Sequence, residues 1–205
     1  MIMPNSEGQE SYFYQRAIVY RLLSALYYYP EVETRELLVN LSHWSGKLDD
    51  LLEELSRKLL DGFDSIPLSD LQVGFSKTFI GPSDSMVSPY ASIHIDQKRQ
   101  VMTESTLLVL DFYNKSEIEV DVHEAPDHLA LELEYLCFLA SGENDPQKLQ
   151  LQLDFFEQHV DLWIPIFTAS VQEICKVSFY QLLTSYLAEF VKSDRLFLEK
   201  SVRGQ

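Results

Sequence analysis

The sequence predicts an all-α protein of about eight to nine helices, folded as a single domain over residues 1–205. The 205 residues include only 7 glycines and 8 prolines, which is too few for a turn-dense β sandwich. Apolar residues recur at helical spacing along most of the chain. The hydrophobic share of 46%, with 12 Phe and 11 Tyr, predicts a sizeable core rather than disorder.

The first half of the chain is predicted to form a polar arm and four helices. The arm covers residues 1–10 and is expected to be flexible, because it lacks apolar periodicity. The helices are expected over Ser11–Tyr29, Thr34–Trp44 and Lys47–Leu60, and from an N-cap at Ser69 to Gly81-Pro82. The third helix places five leucines on its inner face: Leu48, Leu51, Leu52, Leu55 and Leu59. Its acidic residues are then the solvated face, since no histidine accompanies them as a metal ligand.

Residues 80–103 lack clear helical periodicity and predict a long ordered loop. Loops of this length in compact domains are usually functional or disordered, and Pro89, Tyr90, Ile93 and Ile95 make this one too apolar for disorder. We expect it to pack on the helices, with Ser92–Ile95 as a brief extended segment.

The second half predicts further helices. The first covers Glu104–Asn114. The next lies within His123–Gly142, where Pro126 suits the first helical turn, Asp127 places a carboxylate at the positive end of the helix dipole, and Gly142 is a C-terminal stop. Asp145-Pro146 predicts a capped helix start. Pro165 predicts a start or kink within Asp161–Cys175, and the last strong helix is expected over Phe179–Val191.

Charge and cysteine usage restrict the function. The net charge of −16 argues against a nucleic-acid or anionic-membrane partner and fits a cationic one. Cys137 and Cys175 are far apart in apolar helical patterns, which predicts free thiols in a reducing compartment. Neither a signal peptide nor an eighteen-residue apolar run is present. We therefore expect a cytoplasmic protein without a membrane span.

Enzymatic motifs are weak or absent. His123-Glu124 and His128 resemble the HExxH zinc motif, but the histidines are five residues apart and Pro126 separates them, so no metal site is predicted. A hydrolase that uses Asp127 and His128 stays open as an alternative, although adjacent helical residues point about 100° apart. A further alternative is structural: Asp127 caps its helix and His128 satisfies a buried carbonyl. No phosphate-binding loop is present. The residues favour a non-enzymatic helical binding module with no catalytic residue.

Three motifs resemble the TorD/DmsD/NarJ family of redox-enzyme maturation chaperones, with the second closest to the TorD and DmsD branches. They are Phe75-x-x-x-Phe79-Ile80-Gly81-Pro82, Ser88-Pro89-Tyr90-Ala91-Ser92 and Glu124-x-Pro126-Asp127-His128-Leu129. The segment His159–Phe167 is similar to the family's H-x-x-x-W-x-P-x-F stretch. The resemblance covers most of the chain.

The resemblance implies an all-helical chaperone without turnover. Family members bind the twin-arginine signal peptide, and often the body, of a molybdenum-cofactor enzyme subunit, and they delay Tat export until the cofactor is inserted. The peptide-binding positions carried over by matching are Phe75, Phe79, Pro89, Tyr90, Ser92, Glu124, Pro126, Asp127 and His128. Within that set Asp127 is the expected guanidinium acceptor. The resemblance allows weak GTP binding, hence a nucleotide-linked regulator as an alternative, and a monomer or a dimer. The client enzyme is not predicted.

Overall fold

The computed structural model describes residues 6–82, 86–96, 102–119, 124–141 and 145–204, with side chains from Tyr12 onward. These residues form helices and one isolated β-bridge, and no β-strand occurs in the described ranges. Ten α-helices follow one another along the chain: α1 (Ser6–Leu26), α2 (Thr34–Ser45), α3 (Asp50–Ser65), α4 (Leu68–Phe75), α5 (Ala91–Ile95), α6 (Glu104–Lys115), α7 (Leu129–Ala140), α8 (Pro146–Phe155), α9 (Asp161–Ile174) and α10 (Ser178–Arg203).

Two π-helical segments lengthen these helices. Ser76–Ile80 continues α4, and Phe156–Val160 joins α8 to α9 with helical backbone on both sides. The described residues therefore hold nine continuous helical segments, and the all-α prediction of about eight to nine helices is confirmed. Pro165 lies inside α9, which begins at Asp161, so of the two predicted alternatives, a helix start or a kink, the start is wrong. The helix tolerates Pro165 close to its N-terminal end, where the preceding π segment has already altered the hydrogen-bond ladder.

The helices enclose one hydrophobic core. The long α1 packs along α7 and also against α2, while α10 contacts α3, α8 and α9. The largest fully buried side chains are aromatic for the most part, with Trp163 and Tyr20 among them. Cys175 is buried and Cys137 is half-buried, and both are free thiols, as the sequence predicts.

A buried polar network joins α1 to α8 and α10. The Arg16 guanidinium is 0% exposed and donates to both carboxylate oxygens of Asp194, from Nη2 to Oδ2 at 2.9 Å. Arg16 Nη2 also donates to Gln152 Oε1 at 2.6 Å, and the Tyr20 hydroxyl donates to Asp194 Oδ2. The Phe197 ring lies 4.5 Å from the guanidinium carbon of Arg16. The charge that α1 brings into the core is therefore balanced from α10.

Several predicted boundaries in the first half of the chain are wrong. Helix α1 begins at Ser6, so residues 6–10 are helical rather than part of an arm, and residues 1–5 lie outside the described ranges. Glu7, Gln9 and Glu10 are good helix formers, and they extend a helix that the following apolar residues nucleate in spite of Gly8. Helix α3 continues through Gly62 to Ser65, and Leu51, predicted to face inward, is 46% exposed because it lies in the first turn at the edge of the leucine face. Helix α4 starts at Leu68 with Pro67 as its N-cap instead of Ser69.

Later predictions also need correction. Ser92–Ile95 belongs to the short helix α5, not to an extended segment, because a carboxylate from a distant part of the chain caps its N-terminus. Helix α7 begins at Leu129, which places Pro126 and Asp127 in the preceding turn. Gly142 and His123 lie outside the described ranges. Helix α10 extends to Arg203, twelve residues beyond the prediction, along a more polar sequence.

Among the described residues, no helix combines the length and apolar character needed to cross a bilayer.

Candidate functional site

The structure brings two of the three sequence motifs together at one end of the fold. Residues 86–96, which we call the strap, lie against the turn before α7. Tyr90 and His128 form an antiparallel β-bridge, in which Ala91 N donates to Asp127 O at 3.0 Å and Leu129 N donates to Pro89 O at 2.8 Å. The strap is also tied to the first motif, because Val87 N donates to Thr78 O at 2.6 Å.

Asp127 lies inside the protein rather than on its surface. Its side chain is 0% exposed, Oδ2 accepts from Ser92 N at 2.8 Å, and Oδ1 accepts from Thr106 Oγ1 at 3.0 Å. The carboxylate therefore caps α5 and bonds to the first turn of α6, whereas the sequence predicts that it caps its own helix. In this arrangement it does not face solvent, where the sequence expects an arginine to meet it.

His128 is the N-cap of α7. Its Nδ1 accepts from Ala130 N at 3.2 Å, so it satisfies an N–H and not the buried carbonyl that the sequence suggests. Burial lowers the pKa of its imidazole, which the nearby Glu124 and Asp127 carboxylates partly offset. Asp127 and His128 bond to different partners, so the described contacts do not form the acid–base pair that a hydrolase would need.

A half-exposed group of aromatic and acidic side chains surrounds His128. The Tyr28 ring stacks on the imidazole with centroids 6.2 Å apart, and the Tyr90 ring meets it edge-on at 5.0 Å. The Tyr90 hydroxyl donates to Glu124 Oε1. On the α7 side, Glu134 is exposed and accepts from Ser24 Oγ at 3.2 Å. We call Tyr28, Tyr90, Glu124, His128 and Glu134 the aromatic–acidic patch.

Tyr28 and Glu134 are patch members that the sequence prediction does not include. Burial raises the pKa of the Tyr28 hydroxyl, and the Glu134 and Glu124 carboxylates raise it further, so both negative charges act on this side chain. Tyr28 is 43% exposed. An aromatic residue at the end of an amphipathic helix resembles core in sequence, and only tertiary placement separates the two cases. Helical spacing from Tyr20 and Leu23 predicts that Tyr27 faces the core, but no pattern at 27–29 indicates that Tyr28 lies beside His128.

Phe75 and Phe79 form an apolar floor next to the patch. They are 6% and 5% exposed, and their rings contact each other with centroids 5.2 Å apart. Tyr29 leans edge-on against Phe75 at 5.8 Å and is 47% exposed. Ile80 and Met86, at the two sides of the chain connection after the first π segment, are 60% and 43% exposed.

The remaining predicted site residues are structural in this conformation. Pro89 and Pro126 are buried, and their carbonyls accept from Leu129 N and from the Tyr113 hydroxyl at 2.8 and 2.9 Å. Ser92 is 0% exposed and contributes its backbone N–H to Asp127, while its hydroxyl has no hydrogen-bond partner among the residues that the structure describes. Of the nine predicted residues, only Tyr90 and Glu124 are partly exposed.

A second buried acid lies one turn further along α7. Glu132 Oε1 is 2.6 Å from His159 Nε2, and Glu132 Oε2 accepts from Trp163 Nε1 at 3.0 Å. Burial raises the pKa of Glu132, and His159 partly counteracts that rise. Trp163 stacks on His94 of the strap with centroids 5.8 Å apart. Glu132, His159 and Trp163 therefore support the strap through the contact between Trp163 and His94.

The described ranges contain no group of three or more His, Cys, Asp or Glu side chains arranged to hold a metal ion. His123, part of the HExxH-like sequence, lies outside those ranges. The chemistry available at the surface is thus stacking on tyrosine rings and acceptance of hydrogen bonds by carboxylates. Both suit a cationic, partly apolar ligand.

Comparisons with known proteins agree with this architecture. Residues 44–169 match the family described as nitrate reductase delta subunit, which is more than half of the chain. The chaperone protein TorD of Aliivibrio salmonicida is 28% identical, with 90% of this chain and 94% of that protein covered. TorD of Vibrio cholerae is 26% identical over 92% and 94% of the two chains. A crystal structure described as a redox enzyme maturation protein from Archaeoglobus fulgidus shares the fold, with a TM-score of 0.54, 23% identity, and coverage of 90% and 94%.

Proposed function

Since this chain belongs to the family described as nitrate reductase delta subunit and is 28% identical to a TorD chaperone over 90% of its length, we propose that it binds the twin-arginine signal peptide and the apo form of a molybdenum-cofactor oxidoreductase subunit. The chain is a redox-enzyme maturation chaperone and not a catalyst, as the names of its relatives indicate. In the proposed role it acts in the cytoplasm, assists cofactor insertion and delays Tat export.

The observation that carries the proposal is the aromatic–acidic patch. A guanidinium group is planar and weakly hydrated, so it stacks on a tyrosine ring while its N–H groups donate to a carboxylate. Tyr28 offers a half-exposed ring that is subject to the charges of both Glu124 and Glu134. Two carboxylates close enough to act on one tyrosine suit two neighbouring arginines. A charge-assisted contact of this kind contributes about 1.5–3 kcal/mol when sheltered.

The apolar part of a signal peptide is proposed to lie beside the patch. Tyr29, Ile80 and Met86 expose apolar surface there, and Phe75 and Phe79 form the packed floor beneath it. Each Å² of apolar surface removed from water contributes about 25 cal/mol. The floor residues are buried already, so their contribution is to fix the position of Tyr29 rather than to gain contact area.

The overall charge supports the same class of ligand. A net charge of −16 attracts a cationic peptide over distances of about 8–10 Å at physiological ionic strength and speeds encounter. The attraction is not specific, so specificity has to come from the patch.

Calorimetric titration with twin-arginine leader peptides tests the proposal. Leaders of trimethylamine N-oxide reductase, dimethyl sulfoxide reductase and formate dehydrogenase are used, each with its Arg-Arg→Lys-Lys variant. We expect one leader to bind tightly and its lysine variant to bind more weakly, because lysine stacks less well and forms no bidentate contact.

Protein variants connect that binding to the patch. Tyr28→Ala is expected to weaken binding about two- to thirtyfold, the range of a cation–π contact of about 0.5–2 kcal/mol. Glu54→Gln on α3, whose carboxylate pairs with exposed Lys58, is the matched control and is expected to bind like wild type. Binding by no leader, or unchanged binding by Tyr28→Ala and Glu124→Gln alike, would refute the proposed site.

A further inference from the structure

We infer that Asp127 is a positioning residue that holds the strap in place for peptide binding and does not itself contact the peptide. The inference rests on the proposed function and deepens it, because it assigns arginine recognition to the half-exposed Glu124 rather than to the fully buried carboxylate. It starts from the burial of Asp127 and from the identity of its two donors.

Both oxygens of Asp127 are already occupied by buried groups. Oδ2 accepts from Ser92 N and Oδ1 from Thr106 Oγ1, and all three residues are 0% exposed. An arginine that reached this carboxylate would have to displace the first turn of α5 or of α6. The guanidinium would also leave its own hydration shell to enter a dry site, which costs several kcal/mol unless the geometry is excellent.

The carboxylate is stabilised without any cation. Its donors lie in the first turns of α5 and α6, and the residue itself directly precedes the N-cap of α7. The N-terminal ends of α6 and α7 therefore lie close to Asp127, and the positive ends of their helix dipoles favour a negative charge there. The full-length helices α6 and α7 supply most of that field. An arginine is not needed to explain why an acid occupies this position.

The same residue determines where Tyr90 lies. The side chain of Asp127 accepts a hydrogen bond from Ser92 N, and its main-chain carbonyl accepts one from Ala91 N at 3.0 Å. Asp127 therefore binds two successive backbone N–H groups of the strap. Tyr90 directly precedes these amides and reaches Glu124 through its hydroxyl. Loss of the Asp127 carboxylate removes the hydrogen bond to Ser92 N and loosens α5 next to Tyr90, while the main-chain bridge and Glu124 remain.

A cycle of two protein variants and two peptides distinguishes positioning from contact. The Kd of the leader peptide and of its Arg-Arg→Lys-Lys variant is measured for wild type, Asp127→Asn, Glu124→Gln and the exposed control Asp61→Asn. We expect Asp127→Asn to weaken both peptides by the same factor, so that the arginine-to-lysine ratio is unchanged. Glu124→Gln is expected to reduce that ratio about tenfold or more, because it removes the charged acceptor. Loss of the ratio in Asp127→Asn overturns the inference.

A second variant covers the case in which Asp127→Asn does not fold. Thr106→Val removes the donor to Oδ1 but leaves the carboxylate in place. If the carboxylate contacts arginine, freeing one oxygen maintains or strengthens binding, which contradicts the inference. If it positions the strap, Thr106→Val weakens both peptides equally.

Amide hydrogen exchange without peptide separates this inference from the proposed function. We expect Asp127→Asn and Thr106→Val to speed exchange at the Ala91 and Ser92 amides about tenfold or more, while Glu124→Gln and Asp61→Asn leave them unchanged. Unchanged protection in Asp127→Asn overturns the positioning role. Wild type that binds no leader, with faster exchange in Asp127→Asn, refutes the peptide proposal alone and leaves the role of Asp127 in the strap supported.

Discussion

The pairing of Arg16 with Asp194 gives a stability prediction that follows from their burial. Replacement of Asp194 by Ala leaves the Arg16 guanidinium fully buried with Gln152 as its remaining acceptor, and it removes the acceptor of the Tyr20 hydroxyl. Breaking a buried pair by removing one partner costs about 3–5 kcal/mol. Domains of this kind are stable by about 5–15 kcal/mol, so the loss is a large fraction of the total.

Removing both charges at once should cost less than removing one. In Arg16→Met/Asp194→Leu this ion pair leaves no charge behind, and the remaining cost comes from the unpaired Tyr20 hydroxyl and Gln152 amide. Each of these groups costs about 1–3 kcal/mol, and Asp194→Ala also leaves the Tyr20 hydroxyl without its acceptor. The double variant is therefore expected to be more stable than Asp194→Ala, although it changes twice as many residues.

Urea unfolding measures the differences in free energy of unfolding, and thermal unfolding measures the shifts in melting temperature. Both are followed by far-ultraviolet circular dichroism. Since about 1 kcal/mol shifts the melting temperature of a domain of this length by about 2–4 °C, Asp194→Ala should melt about 6–20 °C below wild type. Glu189→Ala, which removes a surface pair with Lys192 on the same helix, is the control and should change stability by less than about 0.5 kcal/mol. A loss below about 1 kcal/mol in Asp194→Ala, or additive losses in the double variant, would refute the reasoning.

Three further predictions concern the site and its support. Ser92→Ala keeps the N–H that donates to Asp127 and removes a buried hydroxyl that is unpaired among the described residues. Urea unfolding should therefore show wild-type stability or a gain of about 1 kcal/mol. A loss above about 1 kcal/mol would mean that the hydroxyl has a partner. Phe79→Ala should lose about 3–5 kcal/mol in the same assay, because the ring packs against four other aromatic rings; a cost under about 1 kcal/mol would contradict that packing. Glu132→Gln tests a pH dependence. Burial raises the pKa of Glu132 in the folded protein, so the folded protein binds this proton more tightly than the unfolded chain does. Wild type therefore loses stability as the pH rises from the unfolded-state pKa of about 4.3 through the raised folded-state pKa. Stability relative to wild type should thus increase for Glu132→Gln between about pH 4.5 and pH 7, and a constant difference would rule out the shift.

The helices that could be predicted from the sequence are those that are long and buried on one face. Helices α2 and α6 were predicted to within one residue, because their apolar periodicity is flanked by local stop signals. Helix α5 was not predicted, since its five residues have no period of their own and its N-terminal cap comes from Asp127, 35 residues away from Ser92. The residues next to α5 in the sequence give no sign of that hydrogen bond.

The candidate site was predictable in place but not in the role of each residue. The motifs around Tyr90 and His128 do meet, which the resemblance implied. The match to the family motif suggested Asp127 as the arginine acceptor, whereas its burial depends on helices that the motif does not include. Tyr28 belongs to the patch because α1 ends beside the turn before α7, and no local pattern encodes that proximity.

The two π-helical segments constrain which insertions and deletions the fold tolerates. Each segment accommodates a residue beyond the α-helical repeat, and one residue corresponds to a rotation of about 100° around the helix axis. Deleting a residue within Phe156–Val160 would turn α8 by that angle relative to α9. Leu149 and Leu153 would then rotate out of the core while Trp163 stays within it. We therefore expect functional homologues to vary in the loops and to keep the helix length across this joint.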